Sequence, residues 1–198
     1  MAEPETHDLR WVRSRDRLHA AVLELARTRP AVSITGAALA QAAGVHRSTV
    51  YQHGTDPVDV LRSALRSELD TIRRDVLDPA DPSTVISAMS QSAIDVFDHI
   101  ERHAVIYARE LSDGSSGLAW MLADHFARST QLLIRHGALT LPDIDDDPAL
   151  FGETAAAAVA ALTIAVIEVW LREPAPRDRA LLARRWNKLL PAWWPRLS

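Results

Sequence analysis

Apolar residues recur every three to four positions along almost the whole chain, and this period limits the fold more than any other feature. Leu18, Ala21, Val22, Leu25 and Ala26 form one stripe. Val58, Leu61, Leu65, Leu69, Ile72 and Val76 form a second, and Ile86, Met89, Ala93, Val96, Phe97 and Ile100 a third. Leu118, Met121, Leu122, Phe126, Leu132 and Leu133 form a fourth. A long apolar segment over 150–171 follows, then Leu181, Leu182, Trp186, Leu189 and Leu190. No run alternates with the two-residue period of a strand. The expected fold class is therefore all-α. With 47% of 198 residues hydrophobic and a formal net charge of −4, the chain can bury a core and is not expected to be disordered.

Local signals mark the helix ends. Asp56-Pro57, Asp81-Pro82 and Asp147-Pro148 each set an acceptor before a proline, the pattern of an N-cap followed by the first helical residue. Asp59 makes a capping-box-like pair with Asp56. Gly114 and Gly117 bracket a turn, Gly137 follows His136, and Pro174 and Pro176 separate the last two helices. The acids 143 and 145–147 lack the spacing and terminal Glu of a calcium loop, so a solvated acidic loop is expected. Thr154–Leu171 is short for a membrane span and carries Glu168, so a buried helix is expected and no membrane partner. There is no cysteine, which excludes disulfides and thiolate chemistry and suits a cytoplasmic location. The first 20 residues lack the apolar run of a secretory signal.

Charge divides the chain in two. Residues 9–54 hold seven arginines (10, 13, 15, 17, 27, 29 and 47) against Asp16 and Glu24, a balance of +5, while 55–198 carry −6. A basic head on an acidic body suits an anionic partner for the head alone.

Residues 35–53 carry the chemistry. They describe two short helices around a tight turn: Thr35 as N-cap, Leu39 facing the core, Ala40 small enough for a crossing helix, and Gly44 where the turn needs a positive φ. Val45 and Val50 anchor the second helix. This is the helix-turn-helix pattern, whose second helix enters the DNA major groove. With both valines inward, His46, Arg47, Ser48, Thr49, Tyr51 and Gln52 form an outward or partly exposed set of donors without an acid, as a phosphate-facing surface requires. Arg47 can give two bonds to guanine, and Thr49 and Tyr51 can donate to phosphates.

In Thr35, Leu39, Ala40, Ala43, Gly44, Val45, Thr49, Val50, Tyr51 and His53 the segment resembles the TetR family of transcriptional regulators. The resemblance covers about a quarter of the chain. It implies DNA binding through Thr35 and the residues 46–49 and 51–53, a DNA-binding domain over 1–54 and a helical ligand-binding and dimerisation domain over 55–198. It also implies a homodimer on pseudo-palindromic double-stranded DNA, a repressor released by a small molecule, and no enzymatic activity or cofactor. Three positions depart from the pattern. His46 stands for a polar cap or acid, Gly54 for Phe, and Pro57 for a phosphate-gripping Lys. The arginines at 10, 13, 15 and 17 offer a compensating flexible arm.

The body permits the same reading. The helix over 150–171 is apolar on all sides and, with the helix over 177–190, offers a two-fold four-helix interface. Trp170, Trp186, Trp193 and Trp194 suit either that interface or a core anchoring the tail. Met89, Phe97, Tyr107, Trp120, Met121 and His125 are the candidate lining of a pocket for an apolar or aromatic effector. Asp95, His99 and His103 share one helical face with zinc-like spacing, but an expected helix break near 101–104 spoils it, so no metal is expected. No phosphate loop, nucleophile elbow or His-Glu-x-x-His pattern is present. The alternative is an all-α small-molecule-binding protein or enzyme with no nucleic-acid role.

Overall fold

The structure is a computed structural model and describes residues 4–81, 83–143 and 147–195. Those residues are all helical or connecting: α1 Pro4–Thr28, a 3-10 turn Ala31–Ser33, α2 Gly36–Ala43, α3 Arg47–His53, α4 Pro57–Ile72, α5 Val85–Arg102, α6 Ala104–Asp113, α7 Leu118–Arg135, α8 Pro148–Leu171 and α9 Arg179–Leu189. The all-α expectation holds. The second stripe, Val58 to Val76, does not make one regular α-helix. It makes α4 and then a wider turn of π-helix over Arg73–Leu77.

Helices α1 to α3 form a small bundle on the N-terminal half of α4. Leu18 and Val22 of α1, Leu39 of α2, Val50 of α3 and Val60, Leu61 and Leu65 of α4 are all fully buried. Each such side chain contributes about 1.5–3 kcal/mol on leaving water, so one small core holds four short elements. Helices α5 and α7 also pack on α4, with α8 along α7 and α9 folded back onto α8 and α5.

The caps follow the sequence where they are local. Asp56 accepts the Asp59 N–H at 2.8 Å and Asp147 accepts those of Ala149 and Leu150. Asp59 reciprocates one residue earlier than expected, on the Thr55 N–H at 3.0 Å. Asp81 departs from expectation in part. Its carboxylate takes the N–H groups of Ser83 and Thr84 and both their hydroxyls, which makes a side-chain turn, and α5 starts only at Val85. Pro82 lies outside the described residues, as do Asp145 and Asp146 of the acidic loop. The expected break near 101–104 is present, between α5 and α6 at His103.

Two contacts from α6 clasp the head to the body. Arg109 donates to the carbonyl of Ala26 at 2.6 Å, closing the last turn of α1. Glu110, 2% exposed, accepts the N–H of Ala31 at 2.9 Å, just past that helix end. Of the four tryptophans expected at either the interface or the core, three take the second place and Trp193 is half-buried against it. Trp170, Trp186 and Trp194 are buried, with Trp186 edge-on to Phe97 and Trp194.

Candidate functional site

Helix α2 starts where Thr35 accepts the Ala38 N–H at 3.1 Å. It stops at Gly44, whose φ of +60° no side chain adopts cheaply. The turn is locked by bonds from Val45 N–H to Ala40 C=O and from Gly44 N–H to Gln41 C=O, the paired closure of a Schellman motif. Arg17 reaches over from α1 and donates to the Gly44 carbonyl at 2.5 Å. Val45 and Val50 then turn α3 so that one side packs and the other does not.

Arg47, Ser48, Tyr51 and Gln52 are exposed on that free side, with His46 at its start. Thr49 is half-buried. His46 is a weak cap: its Nδ1 accepts the Ser48 N–H at 3.4 Å and lies 2.8 Å from the Ser48 hydroxyl. Tyr51 is held from both sides. Its hydroxyl lies where a Cβ on Gly36 would stand at 2.9 Å, and the Arg47 guanidinium sits 5.9 Å above its ring. Arg47 is fully solvated and stays charged; its bond to the Tyr51 hydroxyl is long, at 3.5 Å, and easily exchanged.

His53 is the member that the structure draws inward. Its Nε2 lies 2.8 Å from the Ser14 hydroxyl, and its ring stands 4.7 Å from that of Trp11. Burial and the nearby Arg15 push its pKa down, so it is neutral and serves to dock α3 on α1. The arginines at 10, 13, 15 and 17 do not form a flexible arm, because they lie on α1 itself. Their spacing within one continuous helix, with Leu18 and Val22 anchoring it, explains the difference. The departures at 54 and 57 have local causes. A Cβ on Gly54 would stand 2.9 Å from the Val60 side chain, and Pro57 is buried as the first residue of α4.

A cavity of about 70 Å³ lies between α5, α7, α8 and α9. Met89, Phe97 and His125 line it, as expected. Tyr107, Trp120 and Met121 do not. Tyr107 is fully buried with its hydroxyl 2.8 Å from His99 Nε2, Met121 is fully buried outside the lining, and Trp120 is 69% exposed beneath Arg66. Each fits its helical stripe, but the stripe alone does not say which interior space a residue borders. Trp186, Trp194 and Thr163 also line it and were not expected there, because they come from the tail and from α8. The indole N–H of Trp186 donates to Thr163 Oγ1 at 2.9 Å. Burial pushes His125 down to about 4, against the weaker pull of Asp70. At 3.5 Å that carboxylate is a neighbour and not a formed hydrogen bond.

His99 and His103 meet Glu68 of α4, while the Asp95 carboxylate is taken by Gln91 at 2.8 Å. Hydrogen bonds from His103 and His99 hold the Glu68 carboxyl well below the usual range. Burial keeps His99 neutral, so its contact with Glu68 is a hydrogen bond to a carboxylate and not an ion pair. Glu68 carried no sequence signal; it lies 31 residues from His99.

No family model and no curated protein matches the sequence. Solved structures do match. A TetR transcriptional regulator from Rhodococcus sp. RHA1 superimposes with a TM-score of 0.60 at 19% identity over 91% of this chain and 97% of that one. The fatty acid degradation regulator FadR from Bacillus halodurans gives 0.61 at 17% identity over 89% and 94%. NalD from Pseudomonas aeruginosa, the secondary repressor of the MexAB-OprM multidrug efflux pump, gives 0.54 at 18% identity over 93% and 99%. Identities this low establish shape and not descent of function: over nearly its whole length, the chain has the fold of these regulators, the TetR regulator among them.

Proposed function

We propose that this chain is a homodimeric, DNA-binding transcriptional regulator of the TetR type, acting as a repressor that a small molecule releases. The observation that carries the reading is the acid-free face of α3, with Arg47 solvated at its start, on a helix oriented by a locked turn. Residues 1–54 act as the head. Arg47 reads a base edge in the major groove, while Ser48, Thr49, Tyr51 and Gln52 donate to phosphates or bases. Thr35 and His46 already cap their helices and His53 docks on α1, so their part is to hold α2 and α3 in register.

A second copy covers α8 and α9. Ala157, Ala161, Ala165 and Val169 form an exposed stripe at four-residue spacing, the form that lets helices approach closely. A largely apolar groove beside it is lined by Leu162, Val166, Leu182 and Leu189. Helix α8 is long and apolar enough to cross a membrane, but its other face packs against α7, and an Ala-rich stripe suits a protein partner better than lipid. A cytoplasmic, non-enzymatic role follows from this reading.

The cavity is the effector site. At about 70 Å³ it is small against the roughly 300–1,000 Å³ of drug-sized sites, so it takes a compact, mostly aromatic ligand or opens to admit a larger one. Trp194 of the lining has a buried Nε1 without a hydrogen-bond partner, a donor for a polar atom on the ligand. Effector binding shifts α4 through the helices packed on it, and DNA must weaken effector binding by the same factor. Equal effector affinities with and without operator would remove the release mechanism. The test of DNA binding is selection from a pool of random duplexes. Enrichment of an inverted repeat supports the reading; a pool that stays random after several rounds refutes it.

A further inference from the structure

Glu68, His99 and His103 meet from three segments of the chain: the C-terminal part of α4, the last turn of α5 and the corner before α6. We propose that these three side chains form a binding site for one divalent transition-metal ion of the zinc class. The site and its test do not depend on DNA binding.

Geometry carries the proposal. Glu68 Oε2 lies 3.2 Å from His99 Nδ1 and 3.0 Å from His103 Nε2, and the three donor atoms fall within 4.8 Å of one another. Donor atoms around a tetrahedral ion with bonds of about 2.0–2.2 Å stand about 3.4 Å apart. On taking an ion the two Glu68 distances would widen by a few tenths of an ångström, while the two imidazole nitrogens would draw to the same spacing. Two imidazoles and one carboxylate suit zinc, cobalt or nickel, whereas magnesium and calcium favour oxygen alone.

The surroundings also fit. His99 is fully buried and His103 nearly so, which fixes both rings. The far nitrogen of His99 lies 2.8 Å from the Tyr107 hydroxyl. On metal binding the ring proton moves from Nδ1 to Nε2, where the Tyr107 oxygen accepts it, the outer-shell partner that a ligating imidazole ordinarily has. Glu68 is ionised and His99 neutral, the states that ligation needs. An open groove between α4 and α5, lined by Asp95 and by Asp98, which pairs with Arg179, leads to Glu68 and His99. It leaves the fourth position to water. Arg102 opposes the ion, with Nη1 at 3.4 Å from Glu68 Oε2, but its side chain is 60% exposed and free to swing into solvent.

The experiment is a cobalt(II) titration of the full chain, without a polyhistidine tag and stripped with chelator, followed by the visible ligand-field band. One equivalent per chain is expected to saturate, and zinc is expected to bleach the band. Glu68→Gln keeps the shape of the site and is expected to weaken binding by about tenfold or more, with an unchanged circular dichroism spectrum. Arg102→Gln, a surface change with no bearing on folding, is expected to tighten binding by removing a like charge. It decides the matter if Glu68→Gln does not fold. Lack of a saturable band overturns the proposal, as does equal affinity in Glu68→Gln or no tightening in Arg102→Gln.

Discussion

Replacing Glu110 by Ala removes the acceptor that joins α6 to the end of α1. Its Oε1 takes the Ala31 N–H at 2.9 Å, and both residues are buried, so no water can take its place. A buried N–H left without a partner costs about 1–3 kcal/mol, and a hydrogen bond to a charged group is worth about 1.5–3. These describe the same loss from two sides and do not add. The truncated side chain leaves a void, which makes matters worse, while removing a buried carboxylate recovers desolvation energy. Arg109 Nε stands 3.9 Å from Glu110 Oε1, too far for a hydrogen bond to add much. The net loss is about 2–3 kcal/mol. At about 2–4 °C per kcal/mol for a chain of this size, Tm falls by roughly 4–12 °C. Glu110→Gln keeps an oxygen for Ala31 and is expected to stay within about 1 kcal/mol of the parent. Urea and thermal unfolding measure both variants, and hydrogen exchange reads the Ala31 amide directly. An unchanged midpoint in Glu110→Ala refutes the reasoning. So does an equal loss in Glu110→Gln, which would make the charge rather than the acceptor decisive.

Acid is expected to destabilise the fold in a defined window. His125 is held down to about 4, so the unfolded chain takes up its proton near 6.5 and the folded one does not. Stability is full above about pH 6.5 and is lost as pH falls towards 4, by at most about 3 kcal/mol from this group. His99 shifts in the same direction. Urea midpoints that are equal at pH 7.5 and 5, or a slope unchanged in His125→Gln, contradict this. Ala161→Arg places a charge in the exposed stripe of α8 and is expected to give a folded monomer by light scattering, whereas a dimer of unchanged stability would move the interface elsewhere.

The signals legible in the sequence were those in which cause and effect lie within a few residues. Thr35 caps α2, Gly44 takes a positive φ, Asp56 and Asp147 start their helices, and the chain breaks at His103, because each depends on backbone geometry next door. Asp81 accepts N–H groups as expected, but α5 starts later than the Asp-Pro pair suggested, at Val85. Long-range meetings were not legible. A stripe tells which face of a helix turns inward but not which space it borders. Tyr107, Trp120 and Met121 therefore did not join Met89, Phe97 and His125, while Trp186 and Trp194 did. For the same reason His99 and His103 pointed to Asp95 along their own helix, and the partner was Glu68 on another.

The central claim is that α3 reads DNA through Arg47. Fluorescence anisotropy tests it on the duplex enriched by selection, against a scrambled duplex, at two salt concentrations. The account predicts tight, selective binding by the parent and loss of selectivity in Arg47→Ala, with the folded state intact because Arg47 is fully solvated. Equal binding of both duplexes, erased by salt and indifferent to Arg47→Ala, would reduce the head to a basic surface and contradict the account.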